Sequence, residues 1–450
     1  MKKIMLTAGV MALSLVSASV SAAMSESNAA RLGQDLTPLG AERAGNAEGT
    51  IPEWTGGLSN PGADVHRPQN PFPDDQPLYT ITHDNLSEHR ERLSPGQIAM
   101  FDRYPTYKMH IYQTRRTAAY PQEIYDIVKA NAENASLAEG GSGLEGFSGY
   151  VPFPVPNSGL EIIWNHLTRY RGGAVQRTVG QFPVQANGNY EMVRLREQLV
   201  WPEHLQGGRD ERADDNILFY FLQEVLAPAR LTGTVLLVHD TINQVKESRR
   251  AWLYNAGQRR VRRAPNVAYD GPGTASDGLR TSDGLDMFNG APDKYDWKLV
   301  GKKEMYIPYN NFKLLDDSLK YSDIIQPGHL NQDHVRYELH RVWVVEASVK
   351  DGERHIYAQR NFFIDEDTWT ASVIDHYDGR GELWRVGEAY NVQYYGNDVP
   401  WMAAEALYDL NNGRYLVLGL ANEEGDFMDF SITPRRQDFT QQALRRMGIR

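Results

Sequence analysis

The sequence predicts an α+β protein that is mainly β, with one large curved antiparallel sheet covered by a few helices. Three observations lead there. Beyond Gly172 the chain runs in stretches rich in Val, Tyr, Trp and Arg, of which residues 335–349, 355–364 and 382–395 are 10 to 15 residues long, above the strand mode of about 5 to 6. Five tight-turn signals punctuate this region, at Asn187-Gly188, Asn255-Ala256-Gly257, Asp351-Gly352, Asp378-Gly379 and Asn412-Gly413. Such pairs join antiparallel strands because Asn, Asp and Gly tolerate the positive φ that a hairpin turn demands. The helical signals are short and capped, and most of them lie before Gly172.

In chain order, residues 1–23 read as a secretory signal peptide: Lys2 and Lys3, an apolar run over residues 4–16 (IMLTAGVMALSLV), then small residues. The run is shorter than the roughly 20 apolar residues a transmembrane helix takes, so cleavage after Ala22 or Ala23 is expected. The chain contains no cysteine, so it has no thiol to carry a lipid at the cleavage site, and the expected location is the periplasm. Residues 24–77 read as an extended N-terminal arm, rich in Gly, Pro and Asn with no sustained period. Ile51 and Trp54 are expected to dock it onto the body. Residues 78–450 read as a single β-rich domain with helical lid elements. Ser94-Pro95 caps a helix to about Tyr104, a second helix follows Pro121 to about Asn134, Asn157-Ser158 caps a third through Arg169, and a fourth spans residues 436–447. YKMHIY, before Pro121, reads as a strand.

The 58 acidic against 47 basic side chains give a net charge of -11, which argues against nucleic acid as a partner because phosphate affinity needs clustered cations. Gly141-x-Gly143-x-x-Gly146 matches the dinucleotide fingerprint as a string but lacks a strand before it and a helix after it, so it reads as a flexible loop and no cofactor is expected. Neither a Gly-x-Ser-x-Gly elbow nor a His-Glu-x-x-His pair occurs. His334 with His340, and Asp375 with His376 and Asp378, fall short of the three or four converging ligands of a zinc site, so no metal is expected. The acids at 365–367 and 378–382 sit at hairpin turns, where Asp and Gly suit the geometry.

Several segments are similar to a known family: LTPLGAERAGNAEGTIPEWTGG at residues 36–57, RRAWLYNAGQRRVRRAP at 249–265, residues 283–288, and residues 340–386 with ERHIYAQRNFFIDEDTW and DGRGELWRV. They resemble the bacterial exported proteins grouped as domain of unknown function 1329, across essentially the whole mature chain. That family resembles, more distantly, the periplasmic lipoprotein carriers of the LolA and LolB type, the outer-membrane lipoprotein-sorting superfamily. The resemblance implies a half-barrel sheet closed by helices around an acyl chain, and work beside an RND-type transporter and an outer-membrane protein. It brings no catalytic residues.

The expected function is therefore a periplasmic carrier or binding protein for a lipid or other hydrophobic molecule, not an enzyme. A carrier needs a dry pocket of large side chains, and Trp252, Tyr254, Phe288, Tyr306, Trp343 and Trp384 fall in or beside strands, where either a pocket wall or a filled core would use them. Strand alternation puts Trp252 and Tyr254 on one face. Arg260 and Arg262 share a face in the basic hairpin after Asn255, where they either meet solvent and cross-strand partners or receive an anionic head group. Two other readings compete: an envelope hydrolase using the carboxylates at 365–367 or 375–382, and a scaffold whose arm docks to a transporter.

Overall fold

The computed structural model describes residues 28–448 except 265, 266 and 426. The expected signal peptide, residues 1–23, lies outside the described residues.

From residue 36 to 77 the chain is an arm without a regular strand, yet it is bound to the body. Leu36, Leu39, Ala41 and Ile51 are buried, and the Trp54 indole donates to the Ala118 carbonyl at 2.9 Å. Gly40, at φ 95°, passes so near Pro154 that a Cβ would lie 1.8 Å from its carbonyl oxygen. Only glycine permits that approach.

Next come β1 (Tyr79–Ile81), α1 (Pro95–Arg103), β2 (Met109–Tyr112), α2 (Gln122–Asn134), the short hairpin β3 (Ser136–Leu137) and β4 (Leu144–Glu145), and α3 (Gly159–Thr168). Ser94 Oγ accepts from Gln97 N at 3.0 Å with Pro95 in the first turn. Ser158 Oγ likewise accepts from Glu161 N, at 3.2 Å. Both caps satisfy donors that the first helical turn leaves orphaned. The segment expected to be a flexible loop is instead ordered: Glu139–Gly141 forms a 3-10 turn inside the β3–β4 hairpin.

The rest is strand: β5 (Ala174–Val184), β6 (Val193–Val200), β7 (Ile217–Ala227), β8 (Val235–Thr241), β9 (Arg250–Asn255), β10 (Arg260–Arg263), β11 (Tyr295–Pro308), β12 (Tyr337–Val349), β13 (Gln359–Asp365), β14 (Ala371–Tyr377), β15 (Leu383–Tyr394), β16 (Val399–Asp409), β17 (Tyr415–Leu420) and β18 (Met428–Asp429). A short α4 (Tyr321–Ile324) precedes β12, and α5 (Gln441–Gly448) follows a 3-10 turn at Arg436–Phe439 near the C-terminus. All five predicted turns join neighbouring strands.

Two antiparallel meanders, β5 to β10 and β11 to β17, meet where β17 pairs with β5, making one sheet of 16 strands with β1, β2 and β18 added. The sheet is not wholly antiparallel, because β2 runs parallel to the start of β12 at Tyr337↔Ile111. It does not close: among the described residues β10 pairs only with β9, and β11 only with β12. Seven register shifts interrupt the ladders. Bulges bend and twist strands locally.

Candidate functional site

Between β10 and β11 the chain crosses one face of the sheet as a strap, residues 267–291, whose only regular structure is a 3-10 turn at Ser282–Gly284. Buried Leu279, Met287 and Phe288 anchor it, and polar side chains fasten its backbone. Gln181 of β5 donates to the carbonyls of Thr274 and Ala275, each at 2.9 Å. Arg385 of β15 reaches the Leu279 carbonyl at 2.9 Å, and Arg249 reaches that of Asn289 at 2.6 Å. Asp283 pairs with Arg360 at 2.6 Å, while Asp286 is shared by Arg169 and Arg171. Asp286 and Met287 both hold left-handed φ, 57° and 63°, which is unfavourable for non-glycine residues. The Glu405 carboxylate of β16 accepts from the Met287 N–H at 2.7 Å and stabilises that conformation.

Under the strap, at the β7–β9 end, is a cavity of about 200 Å³. Phe219, Phe221, Leu236, Val238 and Leu253 form its floor, and Val267, Leu285 and the Gly271–Thr274 stretch form its roof. A void of about 40 Å³ adjoins it, sharing Phe219, Phe221, Leu285 and Asn289. Register explains the floor. Directly opposed residues in antiparallel ladders share a face, and Arg177, Glu197, Gln223, Leu236, Leu253 and Arg262 form one continuous row across β5 to β10. The row is polar at the seam, where Arg177 pairs with Glu197 at 2.6 Å and Gln223 donates to Glu197 at 2.6 Å, turns apolar at Leu236 and Leu253, and ends at the exposed Arg262.

Burial shapes the charges around the strap. It pushes Glu405 up to about 7, with the nearby Asp286 adding to the rise and Arg280 opposing it. Burial also acts to raise Asp286, but Arg169 and Arg171 outweigh it and hold that carboxyl below its ordinary range. His376, beneath the strap, is pushed well below its ordinary value by burial and by Arg360 and Arg385.

The sequence-predicted residues are dispersed. Trp252 and Tyr254 do share a face, and it is the face opposite the cavity: they pack under α5 with Phe439 and Leu444. Trp252 meets the His239 ring edge-on at 4.9 Å. Arg262 stands directly across from Leu253 and Arg260 across from Asn255, so both exposed arginines lie at the sheet edge on the cavity's own face. Phe288 is core, against Trp297, Phe362 and the Arg360 guanidinium. Tyr306 bonds Tyr79 through their hydroxyls at 2.6 Å. Trp343 stacks on Trp369, and the Lys302 ammonium lies over the Trp343 ring at 4.6 Å. Trp384 donates to Asp409 at 3.0 Å beneath Arg385. The cavity thus draws on Phe219, Phe221, Leu236 and Leu253, which the sequence reading did not single out. The clue available there was the other phase of the same alternation.

The acids of the hydrolase reading are engaged elsewhere. Asp365 accepts from the Thr368 N–H and hydroxyl, Asp367 pairs with Arg116 at 2.7 Å, and Asp375 accepts from Ser94 Oγ and Gly96 N at the start of α1, each at 3.0 Å. His340 comes within 4.8 Å of Asp365 and Asp367 as a buried group, a combination that sequence spacing does not suggest. A larger, polar cleft of about 490 Å³ separates the arm from residues 310–336 and is lined by Arg67, Asp75, Tyr112 and Arg336.

A sequence profile of the family described as Protein of unknown function (DUF1329) matches residues 80–445. Uncharacterized protein PA3922 of Pseudomonas aeruginosa is 57% identical, over 100% of this chain and 99% of its own length. Among solved structures, an outer membrane lipoprotein-sorting protein domain from Vibrio parahaemolyticus is similar with TM-score 0.42 and 16% identity, over 61% of this chain and 92% of that one. A DUF1329 protein from Desulfovibrio piger gives 0.41 and 14%, over 60% and 91%. A LolA-superfamily protein from Nitrosomonas europaea gives 0.37 and 12%, over 64% and 100%. Matched along its body by the family profile and along its whole length by the Pseudomonas protein, the chain belongs to the DUF1329 family of proteins of unknown function.

Proposed function

We propose that the protein is a periplasmic carrier or binding protein that holds a hydrophobic molecule between the strap and the β7–β9 floor, and that it serves an envelope transport system. The observation that carries this reading is the cavity itself, about 200 Å³ in volume and with a floor of Phe219, Phe221, Leu236, Val238 and Leu253. An apolar cavity of about 150 Å³ is enough to bind a benzene-sized molecule, and filling such a space returns roughly 25 cal/mol for each Å² of apolar surface removed from water. A strap fastened by hydrogen bonds and ion pairs suits a lid that opens, since water replaces polar contacts far better than apolar ones. Residues 1–23 would direct export. Arg260 and Arg262, at the edge of the cavity's face, would bring negatively charged molecules toward the mouth.

Native mass spectrometry of the full mature chain, followed by delipidation and titration with a fluorescent long-chain probe, tests the reading. The expected result is a co-purifying hydrophobic molecule and saturable probe binding that Leu253→Trp, which fills the cavity, abolishes. Absence of both, or binding indifferent to Leu253→Trp in a folded variant, would favour a scaffold.

A further inference from the structure

The roof of the cavity contains a cation without a counter-ion. Arg280, on the strap, is 5% exposed and lines both this cavity and a smaller void beneath the strap. Among the described residues its guanidinium forms no ion pair. Nη2 donates to Gln181 Oε1 at 3.2 Å, and Nε is buried with no partner. The acids whose fields reach it are Glu405, Glu197 and Asp283, and each has its nearest hydrogen-bond partners elsewhere. Glu197 takes Arg177 and Gln223, Asp283 takes Arg360 and His355 through Oδ2, and Glu405, whose field reaches Arg280 from a distance, accepts from the Met287 N–H, so none of the three makes an ion-pair contact with Arg280. Asp286 cannot help, being divided between two other arginines.

A buried guanidinium left unpaired is a heavy cost to stability, and this chain makes specific room for one. A Cβ on Gly273 would lie 3.3 Å from Arg280 Cζ, and one on Gly284 would lie 3.2 Å from its Cγ. The side chain therefore threads between two glycines to reach a cavity whose remaining walls are largely apolar.

Resting on the carrier reading above, we infer that the ligand is an amphiphile with an anionic head group, a carboxylate or a phosphate monoester, and that Arg280 binds that head while the chain lies along Phe219, Phe221, Leu236 and Leu253. The planar fork of arginine pairs with either oxyanion through two parallel hydrogen bonds. The ligand then supplies the contact ion pair that the protein does not make, and a neutral molecule of the same shape leaves Arg280 buried without one.

Competition against a fluorescent fatty-acid probe tests this with the delipidated full mature chain, using dodecanoate, dodecyl phosphate and dodecanol below their micelle concentrations. The carboxylate, the phosphate or both should compete about 10- to 100-fold better than the alcohol, the range expected of a charge-assisted hydrogen bond, and their order tells a fatty acid from a lysophospholipid-like source. Arg280→Gln should bring the anions to within about twofold of dodecanol while leaving dodecanol unchanged, and Arg280→Lys should restore part of the preference. The wild-type series needs no variant to fold. Equal competition by all three overturns the inference and leaves the carrier reading standing, whereas a wild type that binds neither the probe nor any competitor overturns the carrier reading itself.

Discussion

In the β11–β17 meander both faces of the sheet are roofed. Helix α1 lies on one face over β14 and β15, α3 packs against β11 and β12, and the strap covers the face of Gly387 through Met287. Strands β14 to β17 are consequently buried on nearly every residue. The β5–β10 meander is covered more thinly, by the eight-residue α5 on one face and the polar-fastened strap on the other, and its edge strand β10 is largely exposed. The first half is a filled core and the second has a cavity. One sheet thus provides a half covered closely on both faces and a half with space for something else, and the difference lies in the covering layer, since the strands of both halves follow the same pairing rules.

The largest effect expected from breaking this contrast is in stability. Phe362, fully buried in β13 against Phe288 and Trp297, should cost about 3 to 5 kcal/mol when replaced by Ala. Phe221→Ala, beside a space that already exists, should cost less than half as much in urea denaturation. Equal losses would mean that the cavity is closed in solution. Trp252→Ala removes a ring held under α5 and should cost about 3 kcal/mol, with probe binding by the folded fraction unchanged. A selective loss of binding would return Trp252 to the ligand.

Two buried acids pin the coverings, and they titrate alike. Asp375, which holds the start of α1, and Glu405, which holds the strap, are each pushed up to about 7, first of all by burial. From an ordinary value of 4.5, Glu405 keeps its proton in the folded state over a range where the unfolded chain has lost it. Its contribution is therefore full below about pH 4.5 and declines as the pH rises to about 7, by up to about 3 kcal/mol. Glu405→Gln cannot titrate. The stability of this variant relative to wild type should rise across that window and level off above it, and a flat difference would place the Glu405 carboxyl in water. Asp375→Asn should give the same sign under α1 without altering probe binding, whereas Glu405→Gln, acting on the strap, should change probe dissociation.

What the sequence makes legible follows from the range of the interactions involved. The Ser94 and Ser158 caps, the helix after Pro121 and the five turns depend on neighbours a few residues away, and the structure has all of them. The resemblance of residues 249–265 to the DUF1329 family falls within the profile match over residues 80–445, whereas residues 36–57 lie before it, in the part of the chain spanned by the Pseudomonas relative. The pairing of β17 with β5, which brings the two meanders together, has no local signature. Neither does the choice of face. Alternation shows that Trp252 and Tyr254 point together, but which face holds the cavity depends on where α5 and the strap lie. Arg280 was equally hidden, because nothing near it in the chain says that the acids around it are already paired.

The smallest expected effect concerns the edge, where the same face carries two kinds of cation. Arg262 lies across from Leu253, is exposed, and has no ion-pair partner among the described residues, so its field reaches solvent. A charge in that position raises the rate at which an anion arrives and is screened by salt over about 10 Å at 0.1 M ionic strength. It adds little once the anion is inside. Arg262→Gln should therefore slow association of a fatty-acid probe by about two- to threefold at low salt, with the difference fading at about 0.5 M salt and dissociation unaltered. Stability should change by less than about 0.5 kcal/mol, as for most surface substitutions. Stopped-flow fluorescence separates the two rates. A change confined to dissociation would mean that Arg262 holds the bound head group, and the cation that matters would then be at the rim instead of on the strap.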